Sequence, residues 1–173
     1  AEAVRAVSDF LYGRIESPIL LLYGGVGLGK THLAMAIAWE RLLEVKSVAY
    51  WQVSELLDAL RYGYKIEDRL APGEFNEQSY SAIMKYAKLC YTLILDDIGA
   101  YKTTEFAQDR LDSIIDFRYI HHREIVITSN TLELPERTLD RCKDGRVVRL
   151  RGKSYRGSTR LQRLAGGKLH FGY

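Results

Sequence analysis

The stretch GGVGLGKT, residues 24–31, decides the fold, and it follows directly on the apolar run ILLLY, residues 19–23. It has the form G-x-x-x-x-G-K-[ST], in which a glycine-rich backbone can wrap an anion with its N–H groups. A helix that begins at the same place adds the positive end of its dipole. The stretch therefore predicts a phosphate-binding loop between a buried strand and a helix. A glycine-rich loop with another purpose is the alternative.

The residues of this loop have predicted roles around a nucleoside triphosphate. Lys30 supplies a cation for the β- and γ-phosphates, and the hydroxyl of Thr31 is suited to Mg²⁺. The predicted nucleotide-binding residues are Gly24, Gly25, Val26, Gly27, Leu28, Gly29, Lys30, Thr31 and His32. We therefore expect the chain to bind a nucleoside triphosphate.

Size and composition indicate one α/β domain, because 173 residues with 47% hydrophobic content can bury one core but not two of ordinary size. No apolar run approaches the roughly 20 residues that cross a bilayer, and the first ten residues lack a signal-peptide core. We expect a cytoplasmic protein with no membrane partner. Cys90 and Cys142 lack C-x-x-C spacing, so neither a disulfide framework nor a zinc site is indicated.

Positive charge is concentrated near the C-terminus. Residues 141–163 contain nine Lys or Arg and one acid, although the net charge of the chain is only +3. Such a block indicates a polyanionic partner or a phosphate-facing role, and a solvated tail is the alternative. We expect residues 1–156 to form the ATPase domain and residues 157–173 to form a basic, disordered tail.

Predicted strands and helices alternate along the chain. The strands are predicted at 19–23, 47–51, 91–95, 124–128 and 146–150, and the helices within 1–17 and at 31–44, 55–61, 76–89, 105–120 and 135–142. Ser54 is the predicted cap of the third helix, which ends at Tyr62-Gly63, and Thr103 or Thr104 is the predicted cap of the fifth. This alternation predicts a parallel sheet covered on both faces, with sites at the carboxyl ends of its strands.

Polar residues follow two of these strands. Asp96 is expected to bind Mg²⁺ through its water shell, while Asp97 orients or deprotonates the attacking water. Asn130 can donate to a γ-phosphate oxygen and accept from the same water. Lys30, Asp97 and Asn130 are therefore the predicted catalytic residues. The alternatives are aspartates that cap a turn and an ordinary asparagine between strand and loop.

Arginines form the next candidate group. Arg137 and Arg141 lie four apart on one predicted helix face, from which a guanidinium could reach a phosphate of another subunit. Surface salt bridges with Glu136 and Asp140 are the alternative. Arg156 is a candidate for gripping the nucleotide within its own subunit.

Taken together, GGVGLGKTHLA, LILDDIG, TSN, LDR and SYR resemble the AAA+ ATPases of the DnaC/DnaI helicase-loader family. IstB-type transposition helper ATPases share much of this set. The resemblance implies an α/β P-loop NTPase fold (AAA+/ASCE): a three-layer sandwich with a parallel five-stranded sheet of order 5-1-4-3-2 and a reduced or absent C-terminal lid. It implies ATP and Mg²⁺ as cofactors and ATP hydrolysis as the activity.

The resemblance also assigns residue roles. It implies Walker A for Lys30 and Thr31, Walker B for Asp96 and Asp97, sensor 1 for Asn130, arginine fingers acting in trans for Arg137 and Arg141, and sensor 2 for Arg156. Asp97 stands where many AAA+ proteins have Glu, whose longer side chain reaches further toward the water. We therefore expect slow hydrolysis, stimulated by oligomerisation or by DNA.

The resemblance further implies partners. They are a DnaB-type replicative ring helicase, single-stranded DNA and copies of the same chain in a spiral or ring. The N-terminal helicase-binding domain of loaders is expected to lie outside this sequence. In the stretch RYGYK, Arg61, Tyr62, Tyr64 and Lys65 interleave cations with rings, as single-strand binders do, and tyrosines that pack under a loop are the alternative.

Two other functions remain open from the sequence. One is an IstB-like helper that delivers a transposase to DNA. The other is a small-molecule P-loop kinase in which RGKSYRGSTR forms an arginine-rich lid. Paired acids and an asparagine favour water as the nucleophile over a kinase acceptor. A GTPase is disfavoured because the sequence has no N-K-x-D motif.

Overall fold

Strands and helices alternate along the chain as the sequence predicts. The computed structural model describes residues 2–101, 104–152 and 154. The strands are β1 (Ile19–Tyr23), β2 (Val48–Gln52), β3 (Thr92–Asp96), β4 (Glu124–Ser129) and β5 (Arg146–Arg149). The helices are α1 (Glu2–Leu11), α2 (Lys30–Leu43), α3 (Val53–Glu67), α4 (Tyr80–Leu89), α5 (Glu105–Ile120) and α6 (Glu136–Lys143).

These five strands form one parallel sheet in the order β2-β3-β4-β1-β5. This is the predicted order 5-1-4-3-2 read from the opposite edge, so the topology is confirmed. Leu21 of β1 lies opposite Ile127 of β4 on one side and Val147 of β5 on the other. Because the strands run in one direction, the loops that follow β1, β3 and β4 meet at a single edge of the sheet.

Helices cover the sheet on both faces, which gives the predicted three layers. On one face α1 and α2 pack over a row of buried strand residues: Leu20, Leu22, Ile94, Val126 and Val148. On the other face α3, α4, α5 and α6 pack over a second row: Ile19, Leu21, Leu93, Leu95, Ile125 and Ile127. Burial on both sides explains why the central strands read as uninterrupted apolar runs.

Helix α3 is longer than predicted: it continues to Glu67 instead of ending near Arg61. The predicted break at Gly63 was wrong. A Cβ atom at Gly63 would lie 2.6 Å from the backbone nitrogen of Tyr80, so the glycine allows the start of α4 to touch α3. The residue marks a close approach of two helices and not the end of one.

The helix caps differ in part from the predictions. Ser54 does not cap α3, because the helix already includes it and Gln52 is the N-cap, without a side-chain capping bond. Helix α4 begins later than predicted, at Tyr80, where the Ser79 hydroxyl accepts a hydrogen bond from the backbone of the first turn. Thr104 caps α5 as one of the two predicted candidates. The other candidate, Thr103, lies outside the described residues.

Candidate nucleotide site

The glycine-rich loop connects β1 to α2 at the carboxyl edge of the sheet. Gly24 has φ 143°, and a Cβ atom there would lie 2.4 Å from the carbonyl oxygen of Leu150, just after β5. Any other residue at position 24 would push the loop away from β5. Helix α2 begins at Lys30, and Gly29 at its N-cap makes no side-chain capping bond. Its first N–H groups are therefore available to a phosphate.

Lys30 lies inside this loop, only 7% exposed. Its Nζ donates to the carbonyl oxygens of Gly24, at 2.7 Å, and Gly25, at 2.9 Å, and to Oδ1 of Asn130, at 2.9 Å. The ammonium group is thus held where the loop would enclose a phosphate, and it is linked to the end of β4.

Oxygen atoms cluster around Asp96 at the end of β3. The hydroxyl of Thr31 donates to Oδ1 at 2.9 Å and lies 3.1 Å from Oδ2. Thr128 donates to Oδ1 at 2.6 Å, and Tyr50 donates to Oδ2 at 2.9 Å. Burial, reinforced by the Asp96 carboxylate, raises the pKa of Tyr50 to about 12, which keeps the phenol a donor. The sequence alone did not indicate Tyr50, because nothing in an isolated strand shows which side chain will meet the next strand.

This donor set fits Mg²⁺. The ion prefers hard oxygen ligands, and it usually takes one or two carboxylates while phosphates and water complete its coordination. Thr31 and Asp96 supply a hydroxyl and a carboxylate within hydrogen-bonding distance of each other. Within the described residues there is no cluster of three or more His, Cys, Asp or Glu side chains that could bind a metal without a nucleotide.

Asp97 and Asn130 form the second polar pair of the site. The Nδ2 atom of Asn130 donates to Oδ1 of Asp97 at 2.8 Å, and the backbone N–H of Asp97 donates to Thr128 Oγ1 at 2.9 Å. Asp97 has φ 59°, a left-handed conformation that Asp and Asn tolerate better than most side chains. Asn130 therefore contacts both Lys30 and Asp97.

A cavity of about 1160 Å³ extends over this site, and most of the predicted phosphate-loop residues line it, including His32. Its far end lies between the start of α1 and the end of β5, where apolar atoms are supplied by Ala3, Val4 and Leu150. Val4 matches the helical spacing of the apolar residues of α1, yet it is 64% exposed and lines the cavity. This apolar end of the cavity is suited to a nucleobase. The sequence alone did not indicate that Ala3, Val4 and Leu150 would meet there.

The two candidate finger arginines lie away from this cavity, on the α5–α6 side of the sheet. Arg137 and Arg141 both pair with Asp116 of α5, and the Arg141 Nε to Asp116 Oδ1 distance is 3.1 Å. The alternative of surface ion pairs is therefore seen in part: Arg141 also lies 3.7 Å from Asp140, whereas no ion pair to Glu136 is seen among the described residues. In the described part of the chain, neither arginine lines the cavity. Arg156 lies outside the described residues.

The four candidate DNA-binding residues divide between different surfaces of α3. Tyr64 stacks on Tyr80 with ring centroids 4.0 Å apart, so it packs as the alternative expected, but against the start of α4 and not under a loop. Arg61 pairs with Asp58 at 3.0 Å. Tyr62 points elsewhere and is 60% exposed, because residues two apart on a helix face in different directions. The structure therefore does not bring the two tyrosines together.

Tyr62 belongs to an apolar groove between α3 and α4, which we call the α3–α4 groove. Its volume is about 880 Å³, and it is lined by Trp51, Ala59, Tyr62, Phe75, Glu77, Gln78, Ala82, Ile83, Lys85, Tyr86 and Leu89. Phe75 is 80% exposed and Tyr86 is 50% exposed, so the rings stand open to solvent.

No helix in the described part of the chain is both long and apolar enough to span a bilayer. The two cysteines are buried, and burial raises the pKa of Cys142 to about 12 and that of Cys90 above its ordinary value. Both thiols are consequently held in their protonated form.

Comparison with known proteins identifies related sequences. Residues 10–163 match the family model for IstB-like ATP binding protein. The chromosomal replication initiator protein DnaA of Lactobacillus helveticus is 32% identical over 161 residues, which are 87% of this chain and 32% of that protein. The chain thus spans about a third of the length of the curated relatives it matches.

Solved structures show the same fold. DnaA bound to AMPPCP and single-stranded DNA aligns with a TM-score of 0.74 at 20% identity, covering 88% of this chain and 46% of that chain. The DnaC helicase loader aligns with a TM-score of 0.65 at 18% identity, covering 87% of this chain and 89% of that chain. The family model covers most of the chain, and its ATP-binding description agrees with the loop, lysine and carboxylates seen here. This protein therefore belongs to the family of IstB-like ATP-binding proteins and has the P-loop AAA+ fold.

Proposed function

We propose that this chain is the ATPase core of a helicase loader, which hydrolyses ATP to ADP and phosphate, self-assembles and binds single-stranded DNA while a replicative ring helicase is loaded. The observation that carries the ATPase part of this proposal is the double contact of Asn130 with Lys30 and Asp97. A single amide joins the cation that meets the phosphates to the carboxylate that meets the water. A site that only bound ATP would not require the second contact.

Each side chain has a distinct part in the reaction. Lys30 and the N–H groups at the start of α2 bind the phosphates. The Asp97 carboxylate accepts a hydrogen bond from the attacking water. This bond directs a lone pair of the water oxygen at the terminal phosphorus. Asn130 donates to that carboxylate and fixes its orientation, and Lys30 in turn donates to Asn130. The water is therefore oriented only when Lys30 is also in position.

Thr31 and Asp96 are the residues that would hold Mg²⁺. When bound with ATP, the ion neutralises the charge that develops on the phosphate oxygens. The chain's own contribution is to keep the Asp96 carboxylate fixed through Thr128 and Tyr50, so that the ligand does not have to be reoriented.

Neighbouring subunits complete the site in this proposal. Arg137 and Arg141 do not line the cavity of their own subunit and pair with Asp116, and in this proposal their guanidinium groups act on a phosphate of another copy. Arg156 remains a predicted sensor 2 residue. The single-stranded DNA is proposed to contact the α3–α4 groove, where the exposed ring of Tyr62 can stack on bases and Lys85 can meet the backbone. The DnaA structure that shares this fold contains single-stranded DNA, which supports the proposal.

Mixed-subunit ATPase measurements test the proposal. Lys30→Ala subunits bind no ATP but keep their arginines, and subunits with Arg137→Ala and Arg141→Ala keep a complete phosphate loop. Each variant alone is expected to be inactive, and their mixture should recover part of the activity because one supplies arginines to the other. Single-stranded DNA should stimulate the wild-type rate. A wild-type rate that does not depend on protein concentration, with no recovery in the mixture, would overturn the proposal.

A transposition helper is the second candidate, favoured by the IstB description of the matching family. It uses the same ATP site and differs in its client. Co-purification of the full-length protein with a replicative ring helicase, compared with a transposase, separates the two. A kinase is less well supported, because Asp97 and Asn130 are positioned for water, and phosphate transfer to an added acceptor instead of to water would establish it.

A further inference from the structure

Helix α5 contributes one carboxylate that both candidate finger arginines share. Arg137 and Arg141 stand one turn apart on α6, and Asp116 lies between their guanidinium groups. Asp116 is 15% exposed, so the carboxylate is mostly shielded, whereas the Arg137 side chain is 62% exposed. Two positive groups on one face would repel each other without this anion.

Arg141 is held at three points. Its Nε donates to Asp116, its guanidinium carbon lies 4.5 Å from the centre of the Tyr119 ring, and its Nη1 is 3.7 Å from Asp140. The Tyr119 hydroxyl donates in turn to Asp144, which fixes the ring. These contacts keep the arginine flat against its own subunit.

A guanidinium cannot present the same N–H groups to a carboxylate and to a phosphate at once. If Arg137 and Arg141 act on a neighbouring subunit, as the proposed function requires, their bonds to Asp116 must first be given up. The Arg137 side chain is 62% exposed, and an ion pair with so exposed a partner is weak, so the multiply charged terminal phosphate of ATP can displace the carboxylate.

From this geometry we propose that Asp116 is a latch for the trans-acting arginines, and that the terminal phosphate of a neighbour's ATP displaces it. The inference rests on the proposed function and deepens it. In the isolated subunit Asp116 pairs with both guanidinium groups and keeps them against α5. In the assembly the phosphate takes the place of the carboxylate, and ADP, which lacks the terminal phosphate, leaves the latch closed.

Substitution of Asp116 tests the latch in two ways. In dilute protein without nucleotide, Asp116→Asn should raise the rate at which phenylglyoxal modifies Arg137 and Arg141, measured by peptide mass spectrometry. In sedimentation experiments with a nonhydrolysable ATP analogue, Asp116→Asn should lower the protein concentration for half-maximal assembly about threefold, the scale of an exposed ion pair. Assembly with ADP should not change.

Asp109→Asn is the matched control, since Asp109 lies on the same helix as Asp116, is exposed and makes no ion pair with either arginine in the described part of the chain. It should alter neither labelling nor assembly. Asp116→Glu keeps the charge and should restore wild-type assembly, which a merely structural effect of the Asn variant would not predict. Thermal unfolding of each variant identifies one that has lost the fold.

Failure of the latch can be told from failure of the proposed function. If the double variant Arg137→Ala, Arg141→Ala assembles with the ATP analogue as the wild type does, the arginines do not act in trans and both ideas are wrong. If that double variant fails to assemble, but Asp116→Asn leaves labelling unchanged or makes assembly weaker, only the latch is wrong.

Discussion

The edge of the sheet that carries the nucleotide site and the α3–α4 groove are built in different ways. At the strand ends, Lys30, Asp96, Asp97 and Asn130 are joined to the loop, to one another or to neighbouring hydroxyls by hydrogen bonds shorter than 3.0 Å. In the groove, Tyr62, Phe75 and Tyr86 stand exposed, and the groove is mostly apolar.

The difference agrees with the two kinds of ligand proposed for these surfaces. Phosphate transfer requires groups fixed within fractions of an ångström, and a buried parallel sheet supplies that rigidity. A flexible polymer is bound by stacking and charge, which tolerate movement of the side chains. Substitutions at the sheet edge should therefore have large, specific effects on ATP, and substitutions in the groove smaller effects on DNA.

The largest expected effect is at Lys30. Lys30→Ala removes the buried cation, and loss of one partner of a buried charge pair costs about 2–5 kcal/mol, so ATP affinity should fall by about a thousandfold. Titration of a fluorescent ATP analogue measures the change. Lys88→Ala on α4, remote from the cavity, is the control. If Lys30→Ala kept the ATP affinity of the wild type, the loop would not be the nucleotide-binding site.

Asp97→Asn should act on turnover and not on binding. The amide has the same shape and tolerates φ 59°, but it cannot act as a base, so the rate should drop by about a hundredfold. Steady-state hydrolysis and ATP binding, measured on the same preparation, check this. Asp109→Asn, an exposed carboxylate on α5, should change neither. A parallel loss of binding and rate would show that Asp97 holds the nucleotide instead of the water.

In the groove, Tyr62→Ala should weaken binding of single-stranded DNA by about tenfold, because one stacked base contributes about 1–3 kcal/mol. Fluorescence anisotropy with a labelled oligonucleotide measures this. Tyr12→Ala removes another exposed tyrosine, on the turn after α1, and should have no effect. Equal weakening by both variants would mean that the groove is not the DNA surface. ATP affinity should stay unchanged, which sharpens the contrast with the sheet edge.

The smallest expected effect is at Tyr50. Tyr50→Phe deletes one hydrogen bond to Asp96, worth about 0.5–1.5 kcal/mol, so the Mg²⁺ concentration for half-maximal ATP binding should rise about threefold. Tyr86→Phe, whose hydroxyl bonds the Val48 carbonyl instead, is the control. An unchanged Mg²⁺ requirement would show that Thr31 and Thr128 alone fix the carboxylate.

The sequence predicted the topology and the composition of the sheet edge, for a physical reason. A strand buried on both faces reads as an apolar run, and the first polar residue after it must lie at the edge. Asp96, Asp97 and Asn130 could therefore be located without knowledge of the rest of the fold. The strand order was implied by the resemblance, and it agrees with the structure.

Contacts between side chains of different helices and strands could not be predicted from the sequence. Tyr50 reaches Asp96 and Asp116 reaches two arginines of another helix only after the helices and strands have packed. Gly63 was taken for a helix break because glycine disfavours helices, but the cost of a glycine is outweighed when it lets two helices touch. The interleaved pattern of RYGYK was read along the chain, whereas a helix distributes its residues around an axis.

The contact between Gly24 and Leu150 has a mechanical consequence. The first glycine of the loop leaves room for the carbonyl of Leu150, the residue just after β5, and the backbone N–H of Leu150 donates to the carbonyl of Tyr23 at 2.7 Å. This hydrogen bond and the close approach hold the start of the loop against the backbone just after β5. A tilt of the loop as a triphosphate enters or leaves would therefore reach Arg151, the basic residue directly after Leu150, which lines the same cavity.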